Sequence, residues 1–456
     1  MSEVNDMRIS IVGTGYVGLV SGICLSFQGH DVICVDKKAE IVNEINNSIS
    51  PIYEPKLDDM LNQVISEKKL YACTDINWAI ENTDVTIVAV GTPFKNNAID
   101  LTYIKECARE IGTALAEKTS YHTVCIKSTV VPGTTDTIVR EIIEEASHKQ
   151  VGSFGLAMNP EFLREGCAVD DFMMPDRIVI GAYDDLSFDS IAAIYRGVFD
   201  APVIKTNLRT AEMIKYTSNS FLANLISFSN DISNICESIG GIDAIDVFDG
   251  LIMDKRIVVK NDDKQLYPGL VQYLKPGCGF GGSCFPKDVK ALLTHAKANT
   301  YDAVSLEAVL AINELQPLKM VEKLESLIGD LLGKKIAVLG IAFKAETDDI
   351  RESPAIKIIH ILLDKGALVT ACDPEALRNA EKELKNDRFS LKENYVETLR
   401  DAEGALLVTA WESYKCIQPI EFRNLMKNAV LIDGRRVFDK NAMESAGVKY
   451  TGIGLK

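Results

Sequence analysis

The chain has 456 residues, which at roughly 100–200 residues per domain makes two to four domains. Apolar side chains form 47% of it and charged ones 25%, ordinary values that argue against a disordered, collagenous or coiled-coil chain. Forty-nine basic against 65 acidic residues give a net charge of −16 with no basic run, which excludes nucleic acid and anionic membrane as partners; an anionic ligand would need positive charge gathered locally.

Met7 to Val12 form a short apolar strand pattern, followed by Gly13-Thr14-Gly15-Tyr16-Val17-Gly18 and a helical run to Gly29. A second strand, Asp31 to Val35, ends at Asp36. Further strand-like runs stand at Val85–Val90, Thr123–Ile126 and Arg177–Ile180, separated by helical patterns such as Tyr103–Leu115. This alternation predicts a parallel sheet with helices on both faces. After about Asn207 the pattern changes. From Thr210 to about Ser238 one long helix is predicted, free of proline and glycine, with Met213, Tyr216, Phe221, Leu225, Phe228 and Ile232 at three-to-five-residue spacing. Helices without strands are expected to about Gly329. Strands then return at Lys335–Leu339 and Leu368–Cys372, with a helix across Ser353–Leu363 between them, and again at Ala405–Thr409 and Ala429–Ile432.

A G-x-G-x-x-G alone is a weak signal. Here it follows a strand, opens a helix and has an acidic residue 18 positions beyond Gly18, the context a dinucleotide fingerprint needs. The glycines of Gly13–Gly18 allow a tight turn and close approach of a pyrophosphate to the helix N-terminus. Asp36 would accept from a ribose 2′-hydroxyl and repel a 2′-phosphate, which favours NAD over NADP; Lys37 and Lys38 are the residues that could argue otherwise. A glycine-rich structural turn is the competing reading. The later run Gly340-Ile341-Ala342-Phe343-Lys344 lacks the second and third glycines, so no second dinucleotide is expected there, while the sheet's switch point is still able to take another nucleotide. The predicted class is α/β: two Rossmann-like, doubly wound parallel-sheet domains joined by a central helical domain, with boundaries at 1–206, 207–328 and 329–456.

The segment Gly277-Cys278-Gly279-Phe280-Gly281-Gly282-Ser283-Cys284-Phe285-Pro286-Lys287-Asp288 carries the most chemistry. Glycines let backbone approach a ligand, and Pro286 suits the first turn of a helix running through Val289–Leu293. Cys284 then stands beside a helix N-terminus and near Lys287, a setting that lowers a thiol's pKa and makes it nucleophilic, with Asp288 close by. A buried inert cysteine is the alternative, and Cys278 keeps that reading. On the long helix Lys215 and Asn219 share a face at i, i+4 and could stabilise an oxyanion, although such a pair is often only a solvated helix face. Asn159–Gly166 places Glu161 and Glu165 after a strand, where either could hold a water, or could merely begin a surface helix. Ser128–Thr135 is rich in hydroxyls at a strand end, as suits a loop facing a cofactor.

Taken together, Gly13–Gly18, Asn159–Gly166, Phe280–Asp288, Gly340–Ala355 and Asp433-Gly434-Arg435 resemble, in order and over essentially the whole chain, the UDP-glucose/GDP-mannose dehydrogenase family. The resemblance implies oxidation of a nucleotide sugar's C6 alcohol to a carboxylate with two NAD⁺, through a Cys284 thiohemiacetal and thioester. UDP-glucose is the first expectation; GDP-mannose and a UDP-N-acetylhexosamine are the rivals, and the Phe285–Asp288 run disfavours the N-acetyl type. It implies Lys215 and Asn219 at the oxyanion, Asp288 and Glu161 assisting proton transfer and water, and Thr129 nearby. Cofactor positions would be Gly13, Gly15, Tyr16, Val17, Gly18, Asp36, Lys37, Thr92, Thr129, Glu165, Cys284 and Lys287. Substrate would meet Glu161, Phe162, Leu163, Arg164, Lys215, Asn219, Tyr273, Phe280 and Gly281, with Lys344 and Arg435 supplying positive charge. Arg256, in Asp254-Lys255-Arg256-Ile257, would reach a neighbouring subunit, but 28 residues separate it from Cys284 and the extra residues around Asn261 to Leu270 are unlike the family's spacing. A two-electron β-hydroxyacid dehydrogenase would share the lysine and asparagine without needing Cys284. An NAD-sensing binding protein would need none of the three.

No apolar stretch reaches the roughly 18 residues of a membrane span, and Met1–Asp6 lacks the features of a signal peptide. Eleven cysteines, odd in number and without a CxxC, read as reduced thiols in a cytoplasmic protein. The five histidines are scattered, so no metal is expected. The long helix and the resemblance together imply a homo-oligomer, at least a dimer.

Overall fold

The computed structural model describes residues 6–196, 199–261 and 264–456. It divides into two compact units, Met1–Ser218 and Asn219–Lys456, with the division inside one long helix.

The first unit is built on eight strands, β1 (Arg8–Val12), β2 (Asp31–Val35), β3 (Leu70–Cys73), β4 (Val85–Val88), β5 (Thr123–Ile126), β6 (Gly155–Met158), β7 (Ile178–Ala182) and β8 (Val203–Thr206), in spatial order β8-β7-β6-β5-β4-β1-β2-β3. Strands covered on both faces read as unbroken apolar runs, and β4, β5 and β6 are buried at every position. Two apolar cores form accordingly, one around Ile9, Leu19, Ile23 and Leu61, the other around Val88, Ile111, Val124 and Ile143. The pairing is parallel except between β6 and β7, where Ala157 faces Ala182 in antiparallel register. A wholly parallel sheet was expected. The connection from β6 carries only the short helix Ala168–Met173, too little to cross a sheet face and return a strand in parallel. Helix α1 (Tyr16–Phe27) follows β1 directly.

Helix α2 (Leu208–Ile239) runs for 32 residues, and its sequence has nothing to stop it. Its apolar residues do not form one buried stripe. Tyr216 is fully buried, whereas Phe221, Phe228 and Ile235, spaced by sevens, stand about half exposed.

The second unit adds α3 (Phe285–Ala298) and α4 (Val304–Ile328) to six strands, β9 (Lys335–Leu339), β10 (Leu368–Cys372), β11 (Phe389–Leu391), β12 (Gly404–Leu407), β13 (Val430–Asp433) and β14 (Lys449–Gly452). All are parallel, in the order β11-β10-β9-β12-β13-β14, the doubly wound arrangement expected. Met320, Val321 and Leu324 of α4 join the core on one face of this sheet. Helix α5 (Pro354–Asp364) starts as its sequence dictates: the Ser353 hydroxyl accepts from the Ala355 N–H, and proline stands at the first helical position. The expectation of helices alone between 207 and 329 is corrected by an antiparallel hairpin, Val259–Asn261 with Lys264–Leu266, inside the inserted residues. The β-branched run Ile257-Val258-Val259 on one side of the hairpin and the turn-forming Pro268-Gly269 on the other suit extended pairing better than a helix. Asp262 and Asp263 of that insertion lie outside the described residues. Among those residues, no helix is long and apolar enough to cross a membrane.

Candidate active site

The glycine motif of the first unit forms the turn its spacing demands. Gly13 has φ +96°, and a Cβ on Gly18 would stand 1.8 Å from the Gly13 carbonyl oxygen, so both must be glycine for β1 to turn into α1. Gly15 is different. It is the N-cap of α1, nothing lies within 4 Å of where its Cβ would be, and no side chain caps the helix. The first-turn N–H groups of Tyr16, Val17 and Gly18 thus face open space suited to a pyrophosphate. At the end of β2, Oδ2 of Asp36 accepts from the Thr14 N–H (3.1 Å) and hydroxyl (2.6 Å), while Oδ1, among the described residues, accepts only from the Lys38 N–H (3.0 Å). A carboxylate has about four acceptor positions, which leaves one on Oδ1 for a ribose hydroxyl. Lys37 turns away from this point to Glu106 (3.2 Å) and Glu110 (3.0 Å), so it gives a 2′-phosphate no cation. The Tyr16 hydroxyl donates to Glu54, whose carboxylate also takes the N–H groups of Gly166 (2.8 Å) and Ala168 (2.7 Å). That carboxylate ties the glycine turn to the loop carrying Glu165. Thr92 donates to the Thr129 carbonyl at 2.8 Å, joining the loops after β4 and β5.

The Asn159–Gly166 segment is a loop, not the start of a surface helix, and its first carboxylate is deeply buried. Glu161 Oε1 lies 2.9 Å from the Lys215 ammonium, and Oε2 accepts from the Leu163 N–H at 2.6 Å. Burial alone would raise this carboxyl, but Lys215's charge and hydrogen bond hold it below the usual glutamate value. Lys215 is itself 3% exposed and lies over the Phe162 ring, against whose face Arg177 also packs at 4.0 Å. The solvated-helix reading of Lys215 and Asn219 therefore fails. Arg164 is exposed and forked onto Asp171 (2.6–3.2 Å).

In the second unit Cys284 is the N-cap of α3, half-buried, with the Ser283 hydroxyl 3.5 Å from its sulfur and Pro286 in the first turn. The free N–H groups of that turn favour negative charge at the sulfur. One turn on, Asp288 is buried; its carboxylate accepts from the Asn219 amide (2.6 Å) and pairs with Lys287 (2.5 Å). Phe280 packs edge-on to Phe285 at 6.0 Å, and Tyr273 tilts onto Phe285 at 6.3 Å. Beyond β13, Arg435 donates to the Val408 carbonyl (2.6 Å) and its guanidinium passes close to Gly277; Lys344 lies over the ring of Phe343. Arg256 is exposed and held by Asp254.

The second sheet's counterpart of Asp36 is placed differently. Asp373, at the end of β10, accepts on Oδ2 from Ile341 N–H (2.7 Å), Ala342 N–H (2.9 Å) and Trp411 Nε1–H (3.1 Å), and on Oδ1 from Glu375 and Ala376 N–H (3.0 and 2.9 Å). Its acceptor positions are spent. The backbone donors that would receive a phosphate receive this carboxylate instead.

Three models of one family match the chain in order: its NAD binding domain at residues 7–199, its central domain at 209–315 and its UDP binding domain at 337–440. The chain belongs to the UDP-glucose/GDP-mannose dehydrogenase family. Relatives in this family include UDP-glucose 6-dehydrogenase TuaD of Bacillus subtilis, 41% identical over 98% of this chain and 93% of that one. UDP-glucose 6-dehydrogenase AglM of Haloferax volcanii is 41% identical over 94% and 97%. Among solved structures, a UDP-glucose dehydrogenase from Pyrobaculum islandicum superposes with a TM-score of 0.90 at 35% identity, covering 100% of this chain and 99% of that one. A UDP-D-ManNAc dehydrogenase from Pyrococcus horikoshii gives 0.83 at 26% identity, over 98% and 99%. As a UDP-glucose/GDP-mannose dehydrogenase the chain is an oxidoreductase that uses NAD, and the open turn at Gly15 with the half-free Asp36 fits that cofactor.

Sequence reading missed several members of the site. Lys127, at the end of β5, is buried, with its ammonium 3.0 Å from Asn159 Oδ1 and burial pushing it below the ordinary lysine value. A lysine ending an apolar strand just before Ser128-Thr129 was the available signal. Glu54 and Asn313 have no comparable signal, because each sits in an ordinary polar or helical stretch.

Proposed function

We propose that the chain catalyses the NAD-dependent, four-electron oxidation of UDP-glucose to UDP-glucuronate. The observation that carries this reading is Cys284 at the α3 N-cap with a buried, doubly held Asp288 one turn on. A two-electron alcohol dehydrogenase has no use for such a thiol. NAD⁺, when bound, would supply the hydride acceptor, one molecule for each of the two oxidations, the first leaving as NADH before the second binds. Between them the Cys284 thiolate attacks the C6 aldehyde to form a thiohemiacetal, and oxidation of that adduct leaves a thioester. Water then cleaves the thioester, releasing the carboxylate and returning the thiol. Lys215 and Asn219 stabilise oxyanions, Glu161 and Asp288 hold water and move protons, and Thr129 stands by the reacting centre. Gly13, Gly15, Tyr16, Val17, Gly18, Asp36, Lys37, Thr92, Glu165 and Lys287 are assigned to the cofactor, although Lys37's pairing with two glutamates argues for a minor part. Phe162, Leu163, Arg164, Tyr273, Phe280 and Gly281 are assigned to the sugar nucleotide, with Lys344 and Arg435 as its local cations.

We retain three domains, at 1–206, 207–328 and 329–456, as the functional division. The working form is a homo-oligomer, at least a dimer. What supports it is the row of half-exposed Phe221, Phe228 and Ile235 along α2, a heptad-spaced apolar seam that water would penalise in a monomer. Arg256, outside on its Asp254 partner, is the residue we assign to a neighbouring subunit's substrate. The pattern of eleven cysteines supports a cytoplasmic location.

The test is a purified-protein assay of UDP-glucose, GDP-mannose, UDP-galactose and UDP-GlcNAc with NAD⁺ and NADP⁺. Two NADH per UDP-glucose are expected, with Cys284→Ser stalled or greatly slowed at the step where the thioester forms or is hydrolysed. One NADH per sugar would overturn the four-electron mechanism, and oxidation of another sugar in preference to UDP-glucose would overturn the substrate.

A further inference from the structure

The segment Gly277–Gly282, which leads into Cys284, belongs to no strand, so its peptide groups must find partners elsewhere. They are taken up in turn. The Gly277 N–H donates to Oδ1 of the fully buried Asn230 on α2 (2.8 Å), the Cys278 N–H to the Gly434 carbonyl (3.2 Å), and the Gly282 N–H to the Arg351 carbonyl (2.8 Å). In the middle, Asn313 of α4 uses both ends of its amide on one residue. Its Oδ1 accepts from the Phe280 N–H at 2.7 Å, and its Nδ2 donates to the Phe280 carbonyl at 3.0 Å.

This double bond is costly to build. Asn313 is buried on a helix whose inward residues include the apolar Val309, Pro317 and Met320 beside the polar Gln316, and burying an amide costs free energy unless its polar atoms are satisfied, as both ends of Asn313 are. The loop is shaped to receive it. Gly279 has φ +102°, and a Cβ there would stand 2.9 Å from Asn313 Oδ1, so a side chain would push the amide away. The position of Phe280 is passed on, because its ring packs against Phe285, the first residue of α3, next to Cys284. A leucine would fill the same space on α4 with no hydrogen bonds to satisfy, but it would leave the strap free to slide.

We infer that Asn313 is a positioning residue: its amide fixes the Gly277–Gly282 strap against α4 and so sets the aim of the Cys284 thiol. The inference rests on the thiol chemistry proposed above. It also gives the loops of the second sheet a route to that thiol, since Gly434 and Arg351 hold the strap at either side of the clamp.

The experiment compares wild type, Asn313→Ala and Asn313→Asp for kcat and KM with UDP-glucose, for the rate of Cys284 alkylation by iodoacetamide without substrate, and for thermal stability. Cys284→Ser supplies the blank for the other cysteines. A reactive group misplaced by about 1 Å loses on the order of a hundredfold in rate. Asn313→Ala is therefore expected to lower kcat by about that factor with KM little changed, and to change the alkylation rate well below the melting temperature. Asn313→Asp, which keeps the acceptor and loses the donor, should fall between. Wild-type kcat and alkylation in a folded Asn313→Ala, even with a lowered Tm, would overturn the inference. Should that variant fail to fold, Gly279→Ala, which displaces the amide by its Cβ, is read by the same two rates. If wild type does not oxidise UDP-glucose while its thiol reactivity still depends on Asn313, the substrate assignment falls and the positioning role stands.

Discussion

Replacing Lys215 by methionine removes a charge while keeping the length and apolar stem of the side chain. What it leaves behind sets the magnitude. Glu161, 8% exposed, would retain one hydrogen bond, from the Leu163 N–H, and lose the ammonium 2.9 Å away. Breaking one side of a buried pair costs about 3–5 kcal/mol, because the remaining charge stays out of water without compensation. For a unit the size of Met1–Ser218 that corresponds to a Tm lowered by about 6–20 °C. The pH dependence has a definite sign. With Lys215 in place Glu161 is held below its ordinary value, so its stabilising contribution is present above the unfolded pKa and is lost as pH falls through the folded one. Without Lys215 burial prevails, Glu161 takes up a proton more readily, and the deficit of Lys215→Met shrinks as pH drops from neutral toward about 5. The assay is urea and thermal unfolding of Lys215→Met, Glu161→Gln and the double variant across that range. The neutral double variant should regain most of the loss. A deficit under about 1 kcal/mol, the value of an exposed pair, or a double variant as unstable as the two singles combined, would refute the reasoning.

Two further expectations concern the first unit. Asp36→Ala should raise KM for NAD by about 10- to 150-fold, since a hydrogen bond to a charged acceptor is worth about 1.5–3 kcal/mol, and should narrow the preference over NADP; steady-state kinetics with both cofactors decide it, and an unchanged KM for NAD would remove Asp36 from the site. Glu212, buried, accepts from the Gly133 and Thr135 N–H groups, and burial pushes it up to about 7. A raised carboxyl contributes stability that is fully present below its unfolded value and lost as pH rises through the folded one. Glu212→Gln should therefore gain on wild type by on the order of 3 kcal/mol from about pH 4.5 to above 7, over any constant offset of the amide; a pH-independent difference in urea midpoints would exclude this.

Much of the molecule could be read in advance because its signals are local. An apolar run, a glycine turn and Asp36 are set by residues within one βαβ unit, and the α3 start at Cys284-Phe285-Pro286 is written in adjacent positions. What escaped depends on distant partners. Asn313 is one polar residue in a helical stretch until the loop some thirty residues earlier is laid against it. The antiparallel β7 follows from how little helix its connection holds, not from its own sequence, which suits either direction. Lys215 and Asn219 looked like a solvated face because a charged and a polar residue one turn apart commonly are one; the carboxylates of Glu161 and Asp288 that bury them come from other segments. Phe221 and Phe228 were legible as part of a helical periodicity, but spacing does not distinguish a core from a seam that waits for another chain.

Asp373 shows how two sheets of the same winding come to do different work. In the first, the turn after β1 is open to whatever anion arrives; in the second, the chain has supplied its own. Five donors already satisfied by a resident carboxylate have little to offer a visitor, so the turn after β9 does not repeat the phosphate cradle of the turn after β1, and an anion at this end of the second sheet must be met by other groups. No single change at Gly340–Lys344 would reopen it, because the occupant is anchored from the next strand. A lineage that needed a second dinucleotide here would first have to evict Asp373, leaving four buried donors unpaired on the way, and that uphill step keeps the two turns from converging on one ligand.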